Sequence, residues 1–312
     1  MIVEFFQHLR LPAAKWVKQM GYGREIISLE ARHQRCHDAW APHLTATRRL
    51  IIDAAADCQD TGHAVVLGSG ALLDVPLHDL AARFGRVDLI DIVHPNSARR
   101  QAARFDNVRL IAADISGIAP AVYSQAVTAD PIGARPPPPI GSRDKSCEII
   151  SGVIDRNLAK GGALGALREP RPDPAMIAGA DFVVSTNVLA QLPLPLLDWL
   201  QAHRPFADDA ARDAFGRSII DHHLALLQHH PGRVVLITEV LRLITVDENP
   251  IEKIDPLFGA PIFADGEEWW WDVAPPGEID RHRAMRLRVK GLPDLAKADQ
   301  SRSCRNTTLA AP

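Results

Sequence analysis

Short apolar segments that alternate with helical segments from residue 64 onward constrain the fold of this chain more than any other feature. The apolar runs lie at 64–67, 87–91, 108–113, 181–187 and 234–240. Between them, apolar residues recur at the three- and four-residue spacing of a helix, as they do from Leu77 to Phe84. Strands that alternate with helices build a parallel sheet covered on both faces. The sequence therefore predicts a doubly wound α/β fold.

Helical and irregular segments flank or interrupt this region. Residues 1–60 are predicted to form an N-terminal helical cap, within which Pro42 should end or kink the first helix because proline lacks an N–H donor. The main α/β domain is predicted over 61–295. A proline-rich insertion at 124–179, with four consecutive prolines, is predicted to be largely irregular apart from a short helix near 147–158.

The end of the chain predicts an antiparallel hairpin and then a flexible tail. Trp269 to Val273 and Ala284 to Val289 are strand-like, and Pro275-Pro276-Gly277 stands between them. Because side chains alternate across a strand, the three tryptophans at 269–271 should divide between the two faces. One or two should lie in the core and the remainder at an acceptor pocket or a dimer surface. Residues 296–312 are small and polar, which favours a flexible tail.

Composition limits the partners of the chain. It has 312 residues, is 46% hydrophobic and carries a formal net charge of −3. It lacks the clustered basic residues of a general polyanion binder, so we expect no nucleic-acid partner. No apolar stretch approaches the ~20 residues of a membrane span, and the opening MIVEFFQHLRLP lacks the basic start and cleavage site of a signal peptide. The four cysteines form no Cys-x-x-Cys pair. We therefore expect a cytoplasmic protein that does not bind membranes.

Three polar signals follow consecutive predicted strands. Gly68-Ser69-Gly70 follows the first strand, Asp91 ends the second, and Asp114 ends the third. Open α/β sheets bind ligands at the carboxyl ends of their strands. The glycines let a ligand approach the backbone closely. Asp91 can accept hydrogen bonds from two ribose hydroxyls, and Asp114 can accept one from an adenine amine beside the backbone of Ile115. The set predicts a nucleoside site.

The residues after the glycine turn indicate which nucleoside cofactor fits. A dinucleotide fingerprint requires a third glycine or an alanine, and it places the pyrophosphate at a helix N-terminus. Leu73 occupies that position, and the carboxylate of Asp74 after it would repel a pyrophosphate. A phosphate-free ligand with a sulfonium and an ammonium cation meets no such repulsion. The pattern therefore favours S-adenosylmethionine over NAD.

Four segments together resemble the motifs of a known family. They read VVLGSGALLDVP, VDLIDIVHP, VRLIAADISG and ADFVVSTNVLAQLP. These segments resemble motifs I, post-I, II and IV of the class I S-adenosylmethionine-dependent methyltransferases, and the resemblance covers about 60–123 and 180–293. It implies a Rossmann-like, mostly parallel, seven-stranded sheet with a C-terminal antiparallel hairpin. It also implies a transferase that uses S-adenosyl-L-methionine.

The resemblance assigns roles to particular residues. It implies that the Gly68–Gly70 loop holds the methionine part of the cofactor. Asp91 would bind the ribose, Asp114 the adenine, and Asn187 would line the methyl-transfer end. The other predicted cofactor-binding residues are Ser69, Ile92 and Ile115.

Two departures from the family leave alternatives open. Leu67 stands where the family has an acidic residue before the glycines, and the proline-rich insertion at 124–179 is long. No Asn-Pro-Pro-Tyr type sequence follows the fourth strand, where Ser185-Thr186-Asn187-Val188 stands, which disfavours enzymes that methylate amino groups of bases or of glutamine. We expect a small-molecule acceptor. The alternatives are a non-catalytic protein of the same fold and an NAD(P)-dependent oxidoreductase.

No motif assigns a catalytic base. Glu239, near the end of the fifth strand, and His223, on the helix before it, are the candidate residues, because a base near neutral pH suits acid–base catalysis. That helix normally packs on the outer face of the sheet, which favours a structural role for its histidines. His33 and His37 are four residues apart on a helix, but no glutamate completes a zinc motif, so we predict no metal site.

Overall fold

The computed structural model describes residues 12–128, 169–262 and 265–296. Three N-terminal helices come first: α1 (Lys15–Gln19), α2 (Tyr22–Arg35) and α3 (His37–Ala56). The first half of the sheet follows as β1 (His63–Leu67), α4 (Leu77–Arg83), β2 (Arg86–Asp91), α5 (Asn96–Ala102), β3 (Val108–Ala112) and α6 (Ala119–Thr128). The second half comprises β4 (Phe182–Thr186), α7 (Leu194–His203), α8 (Asp209–Gln228), β5 (Arg233–Val246), β6 (Asn249–Ile254), β7 (Glu267–Ala274) and β8 (Arg283–Leu292).

The sheet has the strand order β3-β2-β1-β4-β5-β8-β7. β1 pairs in parallel with β2 and β4, and β2 with β3 and β4 with β5 are parallel as well. β8 is antiparallel to both β5 and β7. This path confirms the predicted doubly wound, mostly parallel seven-stranded sheet with a C-terminal antiparallel hairpin. The order reverses between β1 and β4, and that reversal creates a crevice at the carboxyl ends of the two strands.

The sheet also has an eighth strand that the sequence analysis did not predict. β5 continues to Val246, beyond the predicted end at Val240, and β6 folds back to pair with it in an antiparallel manner. Residues 249–253 of β6 are all exposed, so the segment has no apolar alternation to mark it as a strand. β5 therefore extends beyond the carboxyl edge of the parallel strands.

Apolar helices cover the two faces of the sheet. On one face, Trp40 and Ile51 of α3 pack with Val66, Val184 and Val235. On the other face, the core contains the following residues of α8 and the sheet: Ile220, Leu224, Val65, Val183 and Leu236. Adjacent residues of one strand thus enter opposite cores, as the two-residue period of a strand requires. Burial of both faces explains the continuous apolar runs of the central strands.

The N-terminal helices differ from the prediction in where they break. Pro42 neither ends nor starts a helix: the break lies at Cys36, whose φ and ψ are −107° and 23°, and Pro42 lies inside α3. It is the sixth residue of that helix, so its missing N–H removes one intrahelical hydrogen bond in the second turn. α2 packs through Ile26 and Ile27 on Ala71 and Val93, which follow β1 and β2.

Several predicted features lie outside the described residues. They are the tetraproline run, the short helix near 147–158, and the flexible tail apart from residue 296. Within the predicted insertion, α6 extends to Thr128, and a short 3₁₀ turn at Pro174–Met176 precedes β4. In the described ranges, none of the helices combines the length and the apolar character that a membrane crossing requires.

Candidate functional site

A cavity of about 250 Å³ lies over the crevice between β1 and β4. Nine of the predicted site residues line it: Gly68, Ser69, Gly70, Asp91, Ile92, Asp114, Ile115, Asn187 and Glu239. Residues that are far apart in the sequence therefore meet at one place, because the carboxyl ends of parallel strands share one edge of the sheet. His223, the other predicted catalytic residue, does not line this cavity.

The turn after β1 requires glycine. Gly68 has a φ of 79°, and a Cβ added there would lie 2.4 Å from Cβ of Val188. Gly70 has a φ of 46°. The chain then continues without a helix until Leu77, where α4 begins. No residue of α4 lines the cavity, so the turn lacks the adjoining helix N-terminus that a pyrophosphate site uses.

Asp91 faces the glycine turn from the end of β2. Its Oδ2 accepts a hydrogen bond from the N–H of Gly70 at 2.8 Å, and its Oδ1 accepts one from the N–H of Ile92 at 2.7 Å. A carboxylate offers about four lone-pair positions, so the backbone N–H groups beside Asp91 leave at least one for a ligand hydroxyl. Burial raises the pKa of Asp91 to about 6, while the backbone N–H groups of Gly70, Ile92 and Val93 oppose that shift. Near neutral pH the side chain is an ionised acceptor.

Asp114 has a structural role that the sequence analysis did not assign. Its Oδ1 accepts hydrogen bonds from the N–H of Ser116 at 2.9 Å and from Oγ of Ser116 at 2.6 Å. Its Oδ2 accepts one from the N–H of Ala119, the first residue of α6, at 2.8 Å. The carboxylate therefore orders the loop after β3 and caps α6. Its contact with an adenine amine stays a prediction.

The helical cap supplies part of the site, which the sequence analysis did not predict. Tyr22, Glu25 and Ile26 of α2 line the cavity. Burial, together with the negative charges of Asp114 and Asp91, raises the pKa of Tyr22, so its hydroxyl stays protonated. Burial also raises the pKa of Glu25, and nearby arginines oppose this shift. The amphipathic pattern of α2 shows which face is buried but not what covers it.

Asp74 and Asn187 meet on the other side of the glycine turn. Nδ2 of Asn187 donates to Oδ2 of Asp74 at 2.7 Å, and Oγ1 of Thr186 donates to the same oxygen at 2.9 Å. Asn187 has a φ of 49°, in the left-handed region that asparagine tolerates better than most residues. Burial raises the pKa of Asp74, and the two hydrogen bonds oppose this rise. The structure thus places the carboxylate of Asp74 in the wall of the cavity.

One part of the cavity, which we call its far end, is lined by the aromatic side chains of Trp40 and His43 on α3 and Trp271 on β7. The rings of His43 and Trp271 are stacked, with centroids 4.1 Å apart and planes 4° apart. Trp40 meets Trp271 edge-on, with centroids 4.9 Å apart and planes 86° apart. Trp270 lies on the opposite face of β7, where its ring contacts the guanidinium of Arg286 at 4.9 Å. This confirms the predicted division of the three tryptophans between the two faces.

A β-bulge brings Glu239 and Arg242 to the same face of β5. The register against β8 shifts between Glu239 and Leu241, so Val240 is one extra residue. Side chains three residues apart then point the same way. Nη2 of Arg242 donates to Oε1 of Glu239 at 3.1 Å, and both side chains are buried and line the cavity.

The cavity carries an excess of acidic side chains. Its acidic residues are Glu25, Asp74, Asp91, Asp114 and Glu239, and its basic residues are Arg32 and Arg242. Arg32 forms an ion pair with Glu278, and Arg242 forms one with Glu239. The electrostatic potential therefore favours a cationic ligand over a polyanionic one.

His223 lies in the protein interior and does not line the cavity. It is fully buried in α8, and its Nε2 lies 3.0 Å from Oγ of Ser185 on β4. Burial lowers its pKa to about 4, so it is neutral at physiological pH. In the part of the chain that the structure describes, no group of three or more His, Cys, Asp or Glu side chains is arranged to hold a metal ion.

The structure is similar to solved methyltransferase structures at low sequence identity. The N-methyltransferase NodS from Bradyrhizobium japonicum, in complex with S-adenosyl-L-homocysteine, matches at 13% identity over 86% of this chain and 99% of that chain, with a TM-score of 0.36. The 1,6-didemethyltoxoflavin N1-methyltransferase from Burkholderia thailandensis matches at 13% over 86% and 88%, with a TM-score of 0.37. A methyltransferase from Leishmania major matches at 13% over 92% and 82%, with a TM-score of 0.30. No protein-family model and no curated protein matches the sequence.

Strand order and strand direction define the fold of this chain. The path β3-β2-β1-β4-β5-β8-β7, with β8 antiparallel to both of its neighbours in that path, is the seven-stranded sheet that the motif resemblance implies. The chain therefore has the strand order and strand directions that the resemblance to class I methyltransferases implies.

Proposed function

We propose that this protein is an S-adenosylmethionine-dependent methyltransferase that acts on a small molecule. The observation that carries the proposal is the position of Asp91. Its carboxylate lies at the end of β2 against the glycine turn, inside a cavity with an excess of acidic groups and with no helix N-terminus after the turn. This arrangement suits a cationic adenosine compound and opposes a dinucleotide.

The residues present fit this cofactor. Asp91 would accept a hydrogen bond from the ribose hydroxyls at a lone pair that the backbone N–H groups leave free. Gly68 to Gly70 would lie along the methionine part, where a Cβ would already clash with Val188. Asp114 and Ile115 would border the adenine. The cofactor supplies an electrophilic methyl group on a sulfonium sulfur. The protein contributes mainly position and exclusion of water, which such a displacement chiefly needs.

The cap and the main domain have separate tasks in this proposal. The cap, residues 1–60, covers the nucleoside through α2 and shapes the far end through α3. The α/β domain, 61–295, carries the strand-end residues. Tyr22 and Trp40, which both line the cavity, are the cap residues that would contact opposite ends of the bound molecules.

Calorimetric titration tests cofactor binding. We expect S-adenosylmethionine and S-adenosylhomocysteine to bind, and NAD to bind at least tenfold more weakly. Asp91→Asn should weaken binding, because an amide nitrogen donates where the ribose hydroxyls need an acceptor. Asp106→Asn, in the exposed turn before β3, is the matched control. Absence of heat with either adenosine compound at millimolar concentration would refute the proposal.

Turnover separates an enzyme from a binding protein of the same fold. Incubation with S-adenosylmethionine and a pool of small metabolites should release S-adenosylhomocysteine. Binding without any release would support the non-catalytic alternative.

A further inference from the structure

One face of α2 runs along the cavity. Residues at the three- and four-residue spacing of a single helix face line it: Tyr22, Glu25, Ile26, Leu29 and Arg32. Tyr22 lies at the nucleoside end, where burial and the charges of Asp114 and Asp91 raise the pKa of its hydroxyl. Arg32 lies about 15 Å further along the helix axis. α2 therefore reaches from the predicted nucleoside site into the part of the cavity beyond it.

Ile26 holds this face against the glycine turn. A Cβ added to Gly70 would lie only 3.4 Å from Cδ1 of Ile26, so the two residues are in close contact. The proposed function places the methionine part of the cofactor at this turn. Among the described residues of the cap, the charged side chains that line the cavity are Glu25 and Arg32, which precede and follow Ile26 on the same face. These are therefore the two charges that the cap presents to the methionine part.

The carboxylate of Glu25 is available to a ligand. Within the described ranges it forms neither a hydrogen bond nor an ion pair. Burial raises its pKa, as expected for a carboxylate that has left water without gaining a hydrogen-bond donor. Asp74, another acid of the cavity, already accepts hydrogen bonds from Asn187 and Thr186. A ligand ammonium group would supply the donor that Glu25 lacks.

Arg32 offers the complementary charge. Its Nε donates to Oε1 of Glu278 at 3.3 Å, while its Nη1 and Nη2 have no hydrogen-bond partner in the described part of the chain. The residue is only 2% exposed, yet both Nη atoms keep some accessible surface. Glu278 also accepts two hydrogen bonds from Arg35, so one carboxylate is shared by two guanidinium groups and the cluster stays positive. The two Nη atoms can therefore bind a ligand carboxylate through two hydrogen bonds.

Glu25 and Arg32 are close to each other but unpaired. Burial raises the pKa of Glu25, and Arg32 opposes that rise more than Arg24 does, although no ion pair joins Glu25 to either arginine among the described contacts. An α-amino acid group carries an ammonium and a carboxylate side by side, so it can meet one partner with each charge. Leu67, at the position where the methyltransferase motif has an acid, is buried and apolar and offers the ammonium no acceptor.

We propose that Glu25 and Arg32 bind the amino-acid end of the cofactor, Glu25 its ammonium and Arg32 its carboxylate. This inference rests on the proposed function. The cap then provides the charge that the first motif lacks. It also determines which adenosine compounds bind, since a thioether of adenosine without an amino-acid end would leave both side chains without a ligand.

Calorimetry with four thioethers of adenosine tests the proposal. S-adenosylhomocysteine has the complete amino-acid end, and methylthioadenosine has none of it. The aminopropyl thioether lacks only the carboxylate, and the carboxypropyl thioether lacks only the ammonium. Relative to S-adenosylhomocysteine, we expect each of these two to bind about tenfold more weakly, which is the loss expected for one hydrogen bond to a charged group. Methylthioadenosine should bind about a hundredfold more weakly.

Two variants assign the contributions to residues. Glu25→Gln should weaken S-adenosylhomocysteine and the aminopropyl thioether about tenfold, and it should not weaken the carboxypropyl thioether. Arg32→Lys should weaken S-adenosylhomocysteine and the carboxypropyl thioether about tenfold, because an ammonium cannot replace the guanidinium fork. Both variants should bind methylthioadenosine within about twofold of the parent protein, which also shows that the site is folded.

Asp198→Asn and Arg35→Lys are the matched controls. Asp198 is close enough to Glu25 for that charge to help burial raise its pKa, and Arg35 shares Glu278 with Arg32, but neither residue lines the cavity. Both variants should bind all four compounds within about twofold of the parent protein.

The proposal is overturned if either Glu25→Gln or Arg32→Lys keeps the parent affinity for S-adenosylhomocysteine, or weakens methylthioadenosine equally. Equal affinities of the parent protein for S-adenosylhomocysteine and the aminopropyl thioether overturn the role of Arg32 without any variant. Equal affinities for S-adenosylhomocysteine and the carboxypropyl thioether do the same for Glu25. If none of the four compounds binds the parent protein, the proposed function fails instead.

Discussion

The indole N–H of Trp269 donates to Nδ1 of His43 over 3.0 Å, which places the proton of the neutral imidazole on Nε2. Burial lowers the pKa of His43 to about 3, so the ring stays neutral at physiological pH. The remaining lone pair is engaged by the indole. His43 lines the cavity, and its Nε2 lies 3.3 Å from Nδ2 of Asn187, so no free lone pair of the ring is available to act as a base there.

We predict that Trp269→Phe costs about 1 kcal/mol of stability, because it removes the donor to a buried ring nitrogen. Nitrogen chemical shifts of the imidazole should show the Nε2–H form in the parent protein and a mixture of tautomers in the variant. Urea unfolding measures the free energy. Trp270→Phe, which removes an indole N–H from the other face of the same strand, should leave the tautomer unchanged. The Nδ1–H form in the parent protein would contradict the prediction.

Binding of S-adenosylhomocysteine should strengthen as the pH rises from 5 to 7. Burial raises the pKa of Asp91 to about 6, so the carboxyl group is mostly protonated at pH 5 and mostly ionised at pH 7. Ribose hydroxyls donate best to the ionised form. If only that form binds, the dissociation constant should fall about tenfold over this range. Calorimetry at fixed ionic strength measures it.

Asp91→Asn provides the control for this pH dependence, since an amide does not titrate. Its affinity should be lower and nearly flat between pH 5 and 7. An undiminished pH dependence in this variant would assign the titration to another group, such as Glu25 or Asp74, whose pKa values burial also raises.

Gly68→Ala should destabilise the protein by more than its backbone conformation alone requires. The new Cβ would have to avoid Cβ of Val188 at 2.4 Å, and a φ of 79° is itself unfavourable for alanine. A strained left-handed residue costs about 1–3 kcal/mol. Gly179→Ala is the matched control, because Gly179 has a φ of 69° and no atom within 4 Å of an added Cβ. Equal urea midpoints for the two variants would show that the close approach to Val188 has no energetic effect.

His223 should contribute to acid sensitivity and not to ligand binding. Its pKa is lowered to about 4 by burial, below the ordinary value of 6.5. Unfolding therefore takes up a proton between these values, so the stability that the neutral ring contributes is present above pH 6.5 and is lost as the pH falls toward 4. His223→Gln should reduce the proton uptake on unfolding in this window by about one. A change of more than twofold in its affinity for S-adenosylhomocysteine would place it in the site after all.

The strand-end residues could be predicted from the sequence because two local rules determine their positions. Apolar runs located the parallel strands, and the shared carboxyl edge of such strands brought Gly68, Asp91 and Asn187 together. The sequence could not distinguish the loop-ordering role of Asp114 from its predicted contact with an adenine amine. An aspartate after a strand has the same appearance in the sequence whether it caps the next helix or binds a ligand.

The far end of the cavity could not be predicted in this way. Trp40 and His43 belong to a helix whose apolar face indicates burial but not its partner. The pairing of Glu239 with Arg242 depends on one unpaired residue in β5, and no turn residue marks it in the sequence. β6 was missed because its exposed residues show no alternation and because Pro250 argues against a strand.

Because Val240 is an extra residue in β5, the charge on this face of the strand depends on how many residues separate Glu239 from Arg242. Deleting Val240 alone would make the pairing with β8 regular and would leave Arg242 opposite Leu287, on the same face as Glu239. Deleting Leu241 as well would make the two charged residues consecutive and turn Arg242 to the opposite face. An acid without its counter-ion would then remain in an apolar chamber while both charged residues persist in the sequence.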